Sequence, residues 1–422
     1  MKHDEFIRID LQLFDGDNIN RTTDTTATTG NDLSAENKTF YDKQLIKFAK
    51  AKLVHDQFGQ KRPIPRNGGK TIEFRSFAAL GKALTPLTEG TTPSGQKLNV
   101  TAITKEVSQY GGFVEYTDIL DLTTIDPVVS EAVELIGDQA GLSLDTVTRN
   151  VLNLGTNVKL APVISGSPAT ETDPGIRRLM DRTSKLTVKL VQQIVAFLRG
   201  QNAPTINGKY VAIIHPYVAY DLMRDPEWID AHKYANPTNL YTGEIGEVAG
   251  VRFVETTEAK VIGAEFGLKI DHADGYTGAI TSVAFDGTLE GEEVAASALV
   301  GKVISLNGVS AVITANTTSA ITFASTNFGT VANDADIRIY PSLGGAVFST
   351  LFLGANAYGV TEINGGGLQT VIKQLGSAGS ADPLDQRATV GWKAIKTAEI
   401  LVQQYMLRVE SCSPDFADTK SN

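Results

Sequence analysis

A run of apolar residues at three-to-four spacing begins behind Asp126-Pro127 and continues to Gly155. Val129, Val133, Ile136, Ala140, Leu144, Val147, Val151 and Leu154 fall on one face of a helix. Asp126 is a capping residue, and Pro127 suits the first turn, where its missing N–H breaks no bond. The spacing predicts one helix over 127–154, about 42 Å long at 1.5 Å per residue. Ordinary helices run to about three turns. Gly137 and Gly141 each cost about 1 kcal/mol relative to Ala, so a bend is expected there. The plain reading is a long core helix. The more specific one is a spine that joins separate parts of the chain.

Two other stretches do not close on themselves. Residues 1–34 hold few large apolar groups after Phe14, and Arg21-Thr-Thr-Asp-Thr-Thr-Ala-Thr-Thr-Gly30 cannot nucleate a core. They read as an extended arm or a flexible tail. A helix is expected from Ala35, capped by Ser34, with Phe40, Leu45, Phe48 and Leu53 following at helical spacing. Thr71–Phe77 then alternates like a strand, and Val107–Thr117 is read as its return. The whole excursion is about 45 residues, whereas hairpin loops take two to five. A hairpin reaching beyond its own domain is marginal alone. It needs another surface to rest on, most simply a second subunit.

The rest of the chain mixes helices and strands. A helix is expected over about 187–199 and a buried strand over Lys209–Ile214, which runs through His215-Pro216 into a short helix ending at Met223. Val251–Glu255 reads as another strand. Residues 263–346 change character: Ala279–Phe285, Gly301–Leu306, Ser310–Thr314 and Ala320–Ala324 are strand-length runs between Gly, Asn and Ser turns. That is the pattern of a small β-sandwich or barrel. Val347–Val360 and Arg387–Ser411 return to strand-like patterns. The fold class is α+β.

Charge narrows the function. The 422 residues carry a net charge of −10, which argues against a dedicated nucleic-acid binder. Residues 35–75 hold ten Lys/Arg against four acids, the one strongly basic block. It reads plainly as a solvated face and more specifically as a surface for an acidic partner or nucleic acid. Residues 263–346 hold nine acids against three bases, and this step in composition marks them as an inserted domain. The acidic, non-apolar start is not a signal peptide, and Gly, Ser, Thr, Asn or Pro interrupts every long uncharged stretch, so no membrane span is expected.

Motifs for chemistry fail on spacing. With one cysteine, Cys412, there is no intrachain disulfide and no Cys-only zinc site. Asn67-Gly-Gly-Lys-Thr71 lacks the earlier glycine of a phosphate loop, since Ile64 stands there. Asp271-His-Ala-Asp-Gly275 puts Ile270 and Thr281 where a calcium loop needs its first and last ligands. Asn364-Gly-Gly-Gly367 lacks dinucleotide spacing. His215, at a strand end, has no partner nucleophile or acid by motif, and Cys412 has no activating base beside it in sequence. No catalytic residue, metal or cofactor is expected.

Several strings, in order, carry a resemblance. Leu11-Gln-Leu-Phe14 precedes a low-complexity arm as in many phage capsid proteins. Thr39–Ile46, Leu53-Val-His-Asp-Gln-Phe-Gly-Gln-Lys-Arg-Pro-Ile-Pro65, Gly68–Arg75 and Ala83-Leu-Thr-Pro-Leu-Thr-Glu-Gly90 follow, then His215–Trp228, Gly354-Ala-Asn-Ala-Tyr-Gly-Val-Thr361 and Gln369–Gly391. Over roughly 33–262 and 347–413 the sequence resembles the podovirus-N4-like family of phage major capsid proteins. The resemblance implies the Hong Kong 97-type capsid fold. An N-terminal arm would span 1–60 and an extended loop 61–120. A peripheral domain would take 121–200 and 381–422, with its spine helix at 127–154. An axial domain would take 201–262 and 347–380. Residues 263–346 depart from the family core, and deleting them would join Lys260-Val261 to Val347-Phe348, so an all-β insertion facing outward is expected.

The resemblance further implies a structural protein of a tailed phage or prophage, not an enzyme. It would assemble with itself into hexamers and pentamers of an icosahedral shell around double-stranded DNA, bound without sequence specificity. A portal protein at one vertex and a scaffolding protein during assembly are the implied partners, and a decoration protein is allowed. The implied location is the virion capsid, assembled in the host bacterial cytoplasm. Subunit-interface candidates are Phe40, Tyr41, Arg62, Arg66, Lys70, Arg75, Lys82 and Glu89. Two readings stand beside this one: an encapsulin-like nanocompartment shell, and a carbohydrate-binding or hydrolytic protein using the β insert.

Overall fold

The structure is a computed structural model. It describes residues 53–63, 70–77, 80, 82–84, 86–87, 89–90, 95–123, 128–166, 170–235, 246–289, 291–362, 368–373, 384 and 386–422. The expected arm, the helix capped by Ser34, and the runs Asn67–Gly69 and Asn364–Gly367 lie outside them. The described chain forms two compact units. One takes Gln109–Gly141 and Leu368–Ala394; the other takes Leu53–Ser108, Leu142–Gly367 and Ile395–Asn422.

The smaller unit holds a three-stranded sheet in the order Leu368–Lys373, Arg387–Lys396, Ser108–Thr117. The first two strands run antiparallel with Thr370 opposite Trp392. Gly111 and Gly112 let the third strand approach. A Cβ on Gly111 would sit 2.8 Å from the Trp392 carbonyl, and one on Gly112 would sit 2.8 Å from Gln139 Oε1. The indole N–H of Trp392 donates to that same Gln139 oxygen at 3.2 Å. Two adjacent glycines are therefore a packing requirement here, although glycine weakens a strand by itself.

The sequence misplaces the return of the hairpin. Thr71–Phe77 pairs antiparallel with Val100–Glu106, from Thr71 opposite Glu106 to Phe77 opposite Val100. The Val107 N–H donates to the Lys70 carbonyl at 2.8 Å and closes the pair. Ser108–Thr117, expected as the return, joins the smaller unit's sheet instead. Two strands in direct succession, separated by Val107 alone, read as one β-rich run, and the more aromatic half drew the assignment.

The long helix is present over Val128–Leu152. Its end tightens: Leu154 N–H donates to Val151 and Gly155 N–H to Leu152, the three-residue closure common at helix termini. Val133, Ile136, Ala140, Leu144 and Leu152 are buried as the spacing predicts. Val147 and Val151 are only half-buried. Asp145, Thr148 and Arg149 are buried in that half of the helix, because polar partners wait for them. The His55 N–H donates to Asp145 Oδ1 at 2.7 Å, and His55 Nδ1 lies 2.6 Å from Oδ2. Thr148 donates to Asp56 at 2.6 Å, and Asp56 also meets the buried ammonium of Lys396. Tyr358 donates to the His55 carbonyl. Hydrophobic periodicity has no means of registering such a face.

The larger unit is organised on a mixed seven-stranded sheet. Its order is Val158–Leu160, Met406–Cys412, Val347–Leu353, Tyr210–Ile214, Val251–Glu255 and Glu247–Val248, with Val261–Ile262 beside Val347–Leu353. Tyr210–Ile214 and Val347–Leu353 are buried at every position, as near-continuous apolar runs require. One sheet thus takes strands from sections expected as peripheral (158–160, 406–412) and as axial (210–214, 347–353). The helix Val188–Gly200 lays Val188, Leu190, Val191, Ile194, Val195 and Leu198 into this core. Thr187 caps it by accepting the Leu190 N–H at 3.3 Å. A small sheet of Gln60–Arg62, Tyr358–Thr361 and Ala398–Ile400 lies in the same unit.

Six strands between Glu265 and Tyr340 close into a barrel in the order 265–270, 279–287, 320–327, 309–316, 303–306, 336–340. Its core is separate, built from Leu268, Ile270, Val283, Phe285, Ile304, Ile313, Phe323, Ile337, Ile339 and their neighbours. Closure removes open sheet edges. The first and last barrel strands pair with each other, Glu265 opposite Ile339. Just outside them Ile262 pairs with Val347 and Val261 with Phe348.

Asp145→Ala leaves His55 buried without its carboxylate and should lower unfolding free energy by about 3 kcal/mol or more. The exposed pair of Lys159 and Asp173, 3.5 Å apart, serves as the contrast: Lys159→Ala should cost under about 1 kcal/mol. Chemical denaturation of both variants against the parent checks the difference.

Candidate functional site

The two chemical candidates are occupied with structural tasks. His215 ends Tyr210–Ile214 and caps the helix Pro216–Met223, its Nδ1 accepting the Tyr217 N–H at 3.2 Å. Its ring lies against Tyr217 and Phe348. Burial pushes the imidazole down to about 4, so it stays neutral near pH 7. Cys412 is fully buried, with Sγ 3.4 Å from Ser342 Oγ, and burial raises its thiol to about 12. Neither a base poised near neutrality nor a thiolate results. Asp271–Gly275 is a turn: Gly275 N–H donates to the His272 carbonyl at 2.8 Å, and Gly275 has φ +64°. Among the described residues no group of His, Cys, Asp and Glu is placed to hold a metal ion.

The hairpin 71–106 offers something different, a surface. Its base is pinned. Ile72 and Phe74 are buried, and Phe74 fits under Gly359 so closely that a Cβ there would lie 2.4 Å from its ring. Lys105 meets Glu399 at 2.9 Å. Beyond the base the chain turns its apolar groups outward: Leu80, Leu84, Leu87 and Leu98 are 56%, 81%, 76% and 66% exposed. Isolated exposed leucines need no explanation, whereas these four lie on one excursion.

Of the sequence candidates that are described, Lys70, Arg75, Lys82 and Glu89 lie along this path and Arg62 lies before it. Arg62 closes the strand Gln60–Arg62; its carbonyl accepts the Glu362 N–H at 2.8 Å, and its Nε is buried without a hydrogen bond. Lys70 sits at the hairpin's foot. Arg75 pairs with Glu73 at 2.9 Å on the exposed face; the hydrogen bond and charge of Arg75 lower the Glu73 carboxyl, and those of Glu73 raise Arg75. Lys82 and Glu89 are exposed in the connection. Phe40, Tyr41 and Arg66 lie outside the described residues. The sequence reading chose six charged residues with Phe40 and Tyr41, and did not name the leucines. Their signal was available: large apolar residues in a segment whose Gly, Pro and Thr content gives them no core of their own.

A larger ionic group lies beside the seven-stranded sheet. Glu410, 1% exposed, receives both Nε and Nη2 of Arg177 at 2.6 Å and lies 3.2 Å from Nη2 of Arg408. The bidentate bond to Glu410 raises Arg177, whereas burial lowers Arg408. Every charge here has a partner, and the group serves packing.

Residues 125–300 match a family model described as phage capsid protein. Among curated proteins none matches the sequence. Similar solved structures include the capsid of cyanophage P-SCSP1u, 12% identical with TM-score 0.48, covering 83% of this chain and 86% of that one. The cyanophage Pam1 capsid is 14% identical with TM-score 0.47, covering 82% and 86%. The head structure of Helicobacter pylori bacteriophage KHP40 is 11% identical with TM-score 0.46, covering 97% and 99%.

Titration of His215 gives a sign that can be checked. Between its folded value of about 4 and the ordinary 6.5, the unfolded chain binds a proton that the folded chain does not. Stability therefore rises with pH through that window. His215→Asn keeps a good cap and removes the titration. Its thermal midpoint should fall less than the parent's on acidification from about pH 7 to about pH 4.5.

Proposed function

We propose that this chain is the major capsid protein of a tailed bacteriophage or prophage, acting through assembly and not catalysis. The observation that carries this reading is the match of residues 125–300 to the phage capsid family. The physical chemistry agrees with it. An excursion that exposes four leucines beyond a pinned base gains most when a second copy covers it. Each leucine contributes about 1.5–3 kcal/mol on full burial. A heterologous contact of this kind repeats from subunit to subunit and gives rings where its rotation closes.

The finer reading is that of a Hong Kong 97-type capsid of the podovirus-N4-like family, with hexamers and pentamers forming an icosahedral shell around double-stranded DNA. In it residues 1–60 are the arm, 61–120 the extended loop and 127–154 the spine. Arg62, Lys70, Arg75, Lys82 and Glu89 lie on the subunit interface together with Phe40, Tyr41 and Arg66. Portal and scaffolding proteins complete the assembly, which takes place in the host cytoplasm. The barrel is an insertion. This is supported by the pairing of Ile262 with Val347, which would leave the sheet intact if 263–346 were removed. Its acidic balance of nine against three suits the outer face, away from packaged phosphate.

Negative-stain microscopy and sedimentation of the full chain, expressed with the neighbouring assembly genes, test this. Closed particles are expected. A Leu84→Asp, Leu87→Asp double variant should keep the thermal midpoint of the subunit within a few degrees and lose particles, because the change falls on exposed residues. Subunits that never associate, or particles indifferent to the double variant, would defeat the proposal.

A further inference from the structure

The barrel touches the rest of the larger unit through more than its two connections. Residues Ser413–Asn422 run across both of them. On the outgoing side, Ala346 N–H donates to the Ala417 carbonyl at 2.8 Å. On the incoming side, Ala264 N–H donates to the Thr419 carbonyl at 2.8 Å. Gly263 N–H donates to Ser421 Oγ and Val261 N–H to Asn422 Oδ1, both at 2.8 Å. Asn422 Nδ2 returns a bond to the Ala259 carbonyl at 2.8 Å. The segment also grips the barrel wall. Asp418 accepts from Arg338 at 2.8 Å and from the Tyr340 hydroxyl, and the Lys420 ammonium lies 5.7 Å from the centre of the Phe266 ring. At its other end Phe416 stacks on Tyr217, ring centres 3.8 Å apart.

The crossed connections are glycine-bearing. Gly263 stands where the segment passes so close that a Cβ would lie 2.2 Å from the Lys420 carbonyl carbon. Gly345 holds φ +101°, open to glycine and strained for other residues, and a Cβ there would lie 2.5 Å from Ala417 Cβ. Gly344 is adjacent. Both connections therefore carry a glycine at the place where the crossing segment covers them. A cleft of about 700 Å³ borders the same segment, lined in part by Arg182, Asn307, Asp336 and Asp415.

We propose that residues 413–422 are a strap that locks a two-stranded glycine hinge at the root of the barrel. With the strap seated, the barrel is held by its two connections, by the strap, and by Leu343 and Gly344, whose N–H groups donate to the Arg178 and Met180 carbonyls at 3.1 and 2.9 Å. With the strap and those two bonds released, the barrel keeps its own closed core and swings on Gly263 and Gly345. The proposal rests on contacts within one chain and stands or falls separately from the capsid reading.

Hydrogen exchange on the full chain, followed by mass spectrometry, tests it. In the parent, Ala264 and Ala346 should exchange at one common rate once each is corrected for its intrinsic rate, because both open with the strap. Asp418→Ala removes the acceptor for two barrel side chains and should speed both on the order of tenfold. Peptides from the barrel strands 303–306 and 309–316 should keep the parent's rate. Unequal rates for Ala264 and Ala346 in the parent would overturn the lock even if the variant fails to fold. So would acceleration of the barrel strands together with its root, since the segment would then be part of the barrel's own fold. No change in any peptide would overturn it as well.

Discussion

A buried polar seam decides what the rest of this chain can do. His55 and Asp56 reach Asp145, Thr148 and Lys396 with almost no access to water, and Tyr358 closes the seam over the His55 carbonyl. Burial raises the Tyr358 phenol far above its ordinary value, so its hydroxyl stays a donor. Taking these groups out of water is costly unless every one is paired. The geometry is accordingly demanding, and it fixes residues 55–56 to the long helix and to the strands around Tyr358. An excursion can project apolar groups into solvent only when its base does not give way.

The same logic separates the two kinds of surface on the molecule. The seven-stranded sheet and the barrel each bury an apolar interior and are complete in themselves. The hairpin beyond Phe74 is incomplete, with leucines more than half exposed. Under the proposed function that incompleteness is the working part, and the enclosed cores are the scaffold that presents it. The two residues that could suggest chemistry are held in structural tasks: His215 caps a helix and the Cys412 thiol is kept protonated.

Much of this was legible in the residues. The long helix, the capped helix behind Thr187, the buried strand before His215 and four of the six barrel strands follow from period, cap and turn chemistry, because each is decided locally. The reading of His215 as a simple strand-to-helix junction follows from Pro216 alone. What escaped was decided by distant partners. Val107 divides two strands that go to different sheets, a choice no local pattern records. Asp145, Thr148 and Arg149 are buried because of residues about ninety or more positions away, whereas Val147 and Val151, better hydrophobes, are left half-covered. The exposed leucines were visible as letters, but their meaning depends on the absence of any core within reach.

The pairing of Ile262 with Val347 and of Val261 with Phe348 also bears on ancestry. Two neighbouring backbone positions form a socket in which a whole module can be gained, lost or exchanged by recombination, and the host sheet need not be retied. Descendants of one scaffold could then differ in what they wear on this side while sharing everything beneath it.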